Sequence, residues 1–215
     1  MECVLKGIVR YDGTDFAGWQ RQPGQRTVQG ELEAALSRIA NQPVAIQGAG
    51  RTDAGVHALG QVFSCRWPVA FAPRMRHALS QMAGPEIRVL SLEIAPPEFN
   101  ARFSARGKRY IYSFEYGPEA DPLARRYAWH VPFPVDIPTV QSLLPKLEGT
   151  HDFAAFQSVG NQMENTVRTL HAVRLYPGAL LAPPDLDAAW RIEFVGDGFL
   201  YHMVRNLVGT LVEIG

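Results

Sequence analysis

Hydrophobic positions recur along this chain with periods of two and of about 3.6 residues, and the switches between them outline its elements. Residues 3–11 alternate, with Leu5, Gly7, Val9 and Tyr11 on one face, which predicts a half-buried strand. Thr27 then precedes a stripe of Val28, Leu32, Ala35, Leu36 and Ile39, the spacing of an amphipathic helix capped by a hydroxyl. Val44 to Gln47 predicts a short strand and Gln61 to Cys65 another. Pro73 to Met82 predicts a helix begun near its proline, and Ile87 to Ile94 a further strand. The first half therefore runs β-α-β-β-α-β, the split order of a ferredoxin-like unit.

The second half is read the same way. Residues 99–116 predict one long strand with Tyr110, Tyr112, Phe114 and Tyr116 on a single face. Val140, Leu143, Leu144 and Leu147 form a short helical stripe interrupted by Pro145. Thr166 to Tyr176 and Ala188 to Val195 predict strands, and the proline-bearing residues 177–187 between them predict a variable connector. An Asp197-Gly198 turn leads into a terminal helix near Tyr201. This order repeats strand–helix–strand–strand–helix without a closing strand, and no close sequence repeat accompanies it. No Gly/Ser linker marks the boundary near residue 100. The expected class is α+β: residues 1–100 and 101–215 as two ferredoxin-like halves, packed as one body and sharing a mixed, largely antiparallel sheet flanked by helices.

Composition narrows the function classes. A chain of 215 residues with 47% apolar and 20% charged content is ordinary for a globular protein with a substantial core. No apolar run approaches the roughly 20 residues that cross a bilayer. Met1-Glu2-Cys3 places no basic region before an apolar stretch, so no secretory signal is expected. The two cysteines, Cys3 and Cys65, sit in strand-like segments and are expected to be reduced core residues. With no CxxC pair and no HExxH helix, neither a structural nor a catalytic metal is expected. Basic and acidic residues balance at 21 each, which argues against nucleic acid as a partner. Binding needs positive potential only where phosphates lie, however. Arg102, Arg106, Lys108 and Arg109 form such a cluster, with no acidic residue between Phe99 and Glu115. Arg125-Arg126 and the pair Arg74/Arg76 are smaller candidates; each cluster is also readable as a solvated face.

The chemistry concentrates in Gly48 to Val62, GAGRTDAGVHALGQV. Asp53 lies in a glycine-bracketed loop two residues after Arg51. Gly50 and Gly55 can take the positive φ of a sharp turn, lifting the carboxylate out of the fold. An arginine so near favours its ionised form. Taken alone, Asp53-Ala54-Gly55 reads more readily as an Asx-turn capping its own backbone. A nucleotide phosphate loop is excluded: the G-x-G-x-x-G spacing breaks at Asp53, which places negative charge where phosphate would lie.

Four ordered blocks carry a resemblance. They are Tyr11-Asp12-Gly13-Thr14 with Phe16 to Gln22; Gly50 to Ala58; Asn100 to Ala105 followed by Arg109 to Tyr112; and Phe199 to Asn206 with Gly209. Together they resemble the tRNA pseudouridine synthase A family over nearly the whole chain. The resemblance implies the pseudouridine synthase fold and a cofactor-free isomerisation of uridine in the tRNA anticodon stem-loop. It further implies a cytoplasmic homodimer with one tRNA touching both subunits. It makes Asp53 the nucleophile, leaving open attack at C1′ of the ribose or C6 of the base. It makes Tyr110 the residue that stacks on uracil and a candidate acceptor of the C5 proton. Arg205 becomes the ion-pair partner of Asp53. Arg51 exchanges between Asp53 and the RNA and fills the space of the everted base. Arg102, Arg106, Lys108, Arg109 and Tyr110 become substrate contacts.

Met203, Leu207 and Val208 around Arg205 predict a largely apolar setting, where a buried guanidinium demands a carboxylate. His57 and His202 stay outside the catalytic set, because a lone histidine beside an active loop is more often a structural hydrogen-bonding residue or a phosphate contact. The chain stops at Gly215, where such proteins continue through a further helix and strand, so the second half is expected to be incomplete. That departure keeps a second reading in play, a non-catalytic tRNA-binding module or RNA chaperone.

Overall fold

The computed structural model describes residues 2–158, 165–179 and 188–215. Its backbone divides into two compact units, Met1–Ala105 and Arg106–Gly215. In the first, the described elements run β1 (Cys3–Tyr11), α1 (Val28–Ala40), β2 (Ile46–Gly48), β3 (Ala58–Trp67), α2 (Met75–Met82) and β4 (Ile87–Ala95). The strands pair antiparallel in the order β2-β3-β1-β4, the sheet order of the split β-α-β unit. Leu5, Val9 and Tyr11 of β1 are buried as their alternation predicts, together with Phe63 and Cys65 of β3 and Val28, Leu32 and Leu36 of α1. Thr27 caps α1, its hydroxyl accepting the Gly30 N–H at 3.2 Å, a contact worth about 1 kcal/mol.

The second unit contains β5 (Lys108–Tyr116), β6 (Trp129–Val131), α3 (Ile137–Leu143), β7 (Gly149–Asp152), β8 (Val167–Pro177), β9 (Ala189–Gly196) and α4 (Met203–Ile214). Its sheet order is β6-β5-β9-β8-β7. The β5–β6 pair is parallel and the other ladders are antiparallel, so this sheet is mixed and largely antiparallel. Helix α4 buries Met203, Leu207, Val208 and Leu211 in a core with Phe114, Val140, Ile192 and Phe194. Tyr110, Tyr112 and Tyr116 pack against that core beside Phe114, as their shared face requires. Helix α3 gives way at Leu144–Lys146 to a tighter turn carrying Pro145, where the stripe is interrupted.

Three expectations are corrected. Residues 99–107 do not extend β5. The Asn100 side chain accepts the N–H groups of Arg102 and Phe103, and this local bond turns the chain away from a ladder. Where the sequence reading joins the halves in one sheet, the described strands pair as two sheets, each strand finding its partners within its own unit. The short strands β6 and β7 are additional to the expected order. Of the proline-bearing connector, residues 180–187 lie outside the described residues.

Candidate active site

The β2–β3 connection carries Arg51, Thr52 and Asp53, and the segment after β1 holds it in place. Trp19 N–H donates to the Thr52 carbonyl at 3.0 Å, and Gly55 N–H donates to the Phe16 carbonyl at 3.3 Å. The hydroxyls of Tyr11 and Thr52 bond at 2.8 Å. Gly13 N–H donates to Nδ1 of His57 at 3.1 Å, and the same nitrogen lies 3.0 Å from Oδ1 of Asp12. Tyr11, Phe16 and Trp19 are buried beneath this seam, whereas Arg51 and Asp53 are exposed.

Two glycines let the backbones approach so closely. A Cβ on Gly13 would stand 2.0 Å from the Val56 carbonyl oxygen, and one on Gly18 would stand 2.6 Å from that of Thr52. Gly18 also has φ +93, a conformation glycine adopts without steric cost. The loop itself turns at Gly55, with φ +78, and the Val56 N–H closes onto the Asp53 carbonyl at 3.1 Å. The result is a carboxylate held out to solvent on a backbone fixed from both sides. Such a group can act as a nucleophile or stabilise developing positive charge.

The site roles of Tyr11, Gly13, Phe16, Gly18 and Trp19 emerge only in the folded chain. Their task is to hold the Asp53 loop. The available signal was the pair of glycines, Gly13 and Gly18, in a segment otherwise rich in aromatic residues. His57, read from the sequence as a structural hydrogen-bonding residue or a phosphate contact, hydrogen-bonds within this seam. His202 bonds through Nδ1 to Ser158 Oγ at 3.1 Å and stacks on Tyr201 with ring centroids 3.7 Å apart.

The named residues divide between the units: Arg51, Asp53 and Arg102 belong to the first, and Arg106, Lys108, Arg109, Tyr110 and Arg205 to the second. Tyr110 is half-buried on β5, its ring edge-to-face with Phe199 at 4.7 Å. Arg205 corrects its expectation. Met203, Val204, Leu207 and Val208 are buried, but Arg205 projects from the exposed face of α4. Residue 205 lies about 100° beyond Val204 around the helix axis, at the edge of the buried stripe, where a long side chain reaches solvent. On the second unit the Arg205 charge acts on Tyr112, whose phenol is pushed up by burial while the guanidinium draws it partly back. Arg109 sits 3.5 Å from Oε2 of Glu193, which Arg174 also approaches at 3.4 Å, so part of its charge is answered within the sheet. Arg102 and Arg106 are exposed and Lys108 is half-buried. Among the described residues, no three His, Cys, Asp or Glu side chains are grouped so as to hold a metal ion.

An α+β chain with a ferredoxin-like first unit, presenting one carboxylate on a glycine-clamped loop, is the class that fold and loop define. The sequence model described as tRNA pseudouridine synthase matches residues 8–103 and 144–215. The tRNA pseudouridine synthase A of Latilactobacillus sakei is 42% identical over 209 residues, spanning 96% of this chain and 82% of that protein. Those of Lacticaseibacillus casei and Streptococcus pneumoniae are 43% and 40% identical over 212 residues, each match spanning 98% of this chain and 83% of the relative. The chain belongs to the tRNA pseudouridine synthase family.

Proposed function

We propose that this chain isomerises uridine to pseudouridine in the anticodon stem-loop of tRNA, with Asp53 as its nucleophile. The reaction breaks the N1–C1′ bond, turns the base, and rejoins it through C5, with no change of redox state and no phosphoryl transfer. One observation carries the assignment of Asp53: an exposed carboxylate whose two flanking backbone segments are hydrogen-bonded to a glycine-cut seam. Rigid placement is what a nucleophile needs, because a near-attack geometry supplies part of the barrier lowering in advance.

The target base has to leave its stack, at a cost of a few kcal/mol. Tyr110 is assigned to stack on the freed uracil and to accept the C5 proton. Its edge contact with Phe199 sets the ring plane. Arg205 is assigned as counter-charge to Asp53, and Arg51 as the side chain that takes the place of the everted base. Arg102, Arg106, Lys108 and Arg109 are assigned to phosphates. We also propose a homodimer acting in the cytoplasm, the first of which sedimentation velocity tests directly.

Asp53→Asn keeps the size and polarity of the side chain and removes the nucleophile. It is expected to lower turnover by on the order of 10⁴-fold or more, while tRNA binding stays within a few-fold. Carbodiimide modification of treated tRNA, read by primer extension, measures the product. Wild-type turnover by this variant refutes the assignment. The same assay on the unaltered chain separates an isomerase from an RNA chaperone, since a chaperone leaves no modified base.

A further inference from the structure

Phe103 is 77% exposed, the highest value among the large hydrophobic side chains of the described residues. An aromatic ring left in water is unfavourable in the free protein. The turn that carries it is nevertheless built to keep it there. Asn100 Oδ1 accepts the N–H groups of Arg102 at 3.0 Å and Phe103 at 3.3 Å. The Ser104 N–H returns to the Asn100 carbonyl at 2.8 Å. Ala101 is 2% exposed, and its N–H donates to Oγ of buried Ser64 at 3.0 Å. Asn100 Nδ2 donates to Oε1 of Gln47 at 2.6 Å.

These bonds tie the turn to β2 and β3, the two strands that the Asp53 loop connects. Gln47 and Gly48 immediately precede that loop. The backbone that carries the ring is therefore tied to the framework that holds Asp53. Its immediate neighbour is a cation: the Arg102 guanidinium stands 5.5 Å from the ring centroid. No acidic residue occurs from Phe99 until Glu115. A flat apolar face beside a guanidinium, in a stretch of chain without acidic residues, fits a nucleobase together with its own phosphate.

We propose that Arg102 and Phe103 form a stacking platform for an unpaired nucleobase of the RNA substrate, the ring taking the base face and the guanidinium the adjoining phosphate. Stacking on an aromatic side chain is indifferent to base identity because every base has a π-face. The platform therefore adds affinity without restricting which base it takes. The inference rests on the tRNA reading above and extends it to a residue outside the phosphate cluster.

The test measures tRNA affinity across a salt series for the whole chain and its variants. Phe103→Ala is expected to weaken binding by about 10- to 100-fold, with an unchanged slope of log Kd against log salt. Phe103→Trp restores affinity to within about threefold, since a larger ring stacks at least as well. Arg102→Ala weakens binding and lowers the slope by about one phosphate contact. Each variant alters an exposed side chain, and thermal melting checks that folding is intact. Wild-type affinity of Phe103→Ala overturns the platform. So does a Phe103→Ala chain that keeps its tRNA affinity but loses self-association, because the occupant is then a second copy. A wild-type chain that fails to bind tRNA at all overturns the tRNA reading itself, an outcome distinct from either.

Discussion

At the scale of single residues, the position of Asp53 depends on groups that carry no charge. Gly13 has no room for a side chain, since the atom its Cβ would meet is a backbone oxygen that cannot swing aside. Gly13→Ala is expected to push the Asp53 loop off its seam and to lower both turnover, by more than about tenfold, and the melting temperature. Tyr11→Phe is the milder probe. It removes one hydroxyl bond to Thr52, worth about 1 kcal/mol, and leaves the buried ring in place. Its expected signature is a lower kcat with KM for tRNA unchanged, measured by single-turnover and steady-state assays. An unchanged kcat would show that the backbone bonds suffice. Arg205 illustrates the opposite case: its apolar neighbours on α4 are buried, while Arg205 itself, at the edge of their stripe, is exposed.

At the scale of elements, strands with one buried face were legible and strands without one were not. β1 alternates because Leu5, Gly7, Val9 and Tyr11 face a core. β7 is exposed throughout, so nothing in its side chains records a period of two. β6 is only three residues long, too short for any pattern to repeat. Cys65 on β3 makes the burial of that strand measurable. Its thiol is pushed up from 9.0 to about 12, chiefly by burial and secondarily by Cys3. The thiolate fraction near pH 8 is then about a thousandfold below that of an ordinary thiol. Iodoacetamide should label Cys65 only when the chain is unfolded, and rapid labelling of the native protein would contradict its burial. The sign for stability follows from the raised value. The unfolded thiol ionises above 9.0 while the folded one stays neutral up to about 12. Its contribution is thus whole below that window and is lost as pH rises through it. Alkaline denaturation midpoints of wild type and Cys65→Ala should converge accordingly.

At the scale of the whole molecule, a net charge of zero coexists with local basic clusters, and that distribution bears on RNA. Phosphate contacts release counterions, so affinity should fall steeply with salt. Arg106→Glu with Lys108→Glu is expected to weaken binding to all tRNAs alike and to flatten the salt dependence by roughly two phosphate contacts. Unchanged affinity in filter binding would remove both side chains from the interface. Arg109 is expected to contribute less than Arg106, because Glu193 already answers part of its charge.

The sequence by itself determined the buried faces, the capped helix α1, the split order of the first unit and the identity of the carboxylate at residue 53. All of these are written in short-range spacing, because a period of two or of about 3.6 residues is the local imprint of a face turned toward a core. Tertiary structure alone decided which strands pair, that they close as two sheets, that the Asp53 loop is clamped by a segment some forty residues earlier, and that Arg205 and Phe103 stand in water. Those facts depend on contacts between residues distant in sequence, whose partners are fixed by backbone hydrogen bonds and close packing and leave no periodic trace in either partner alone.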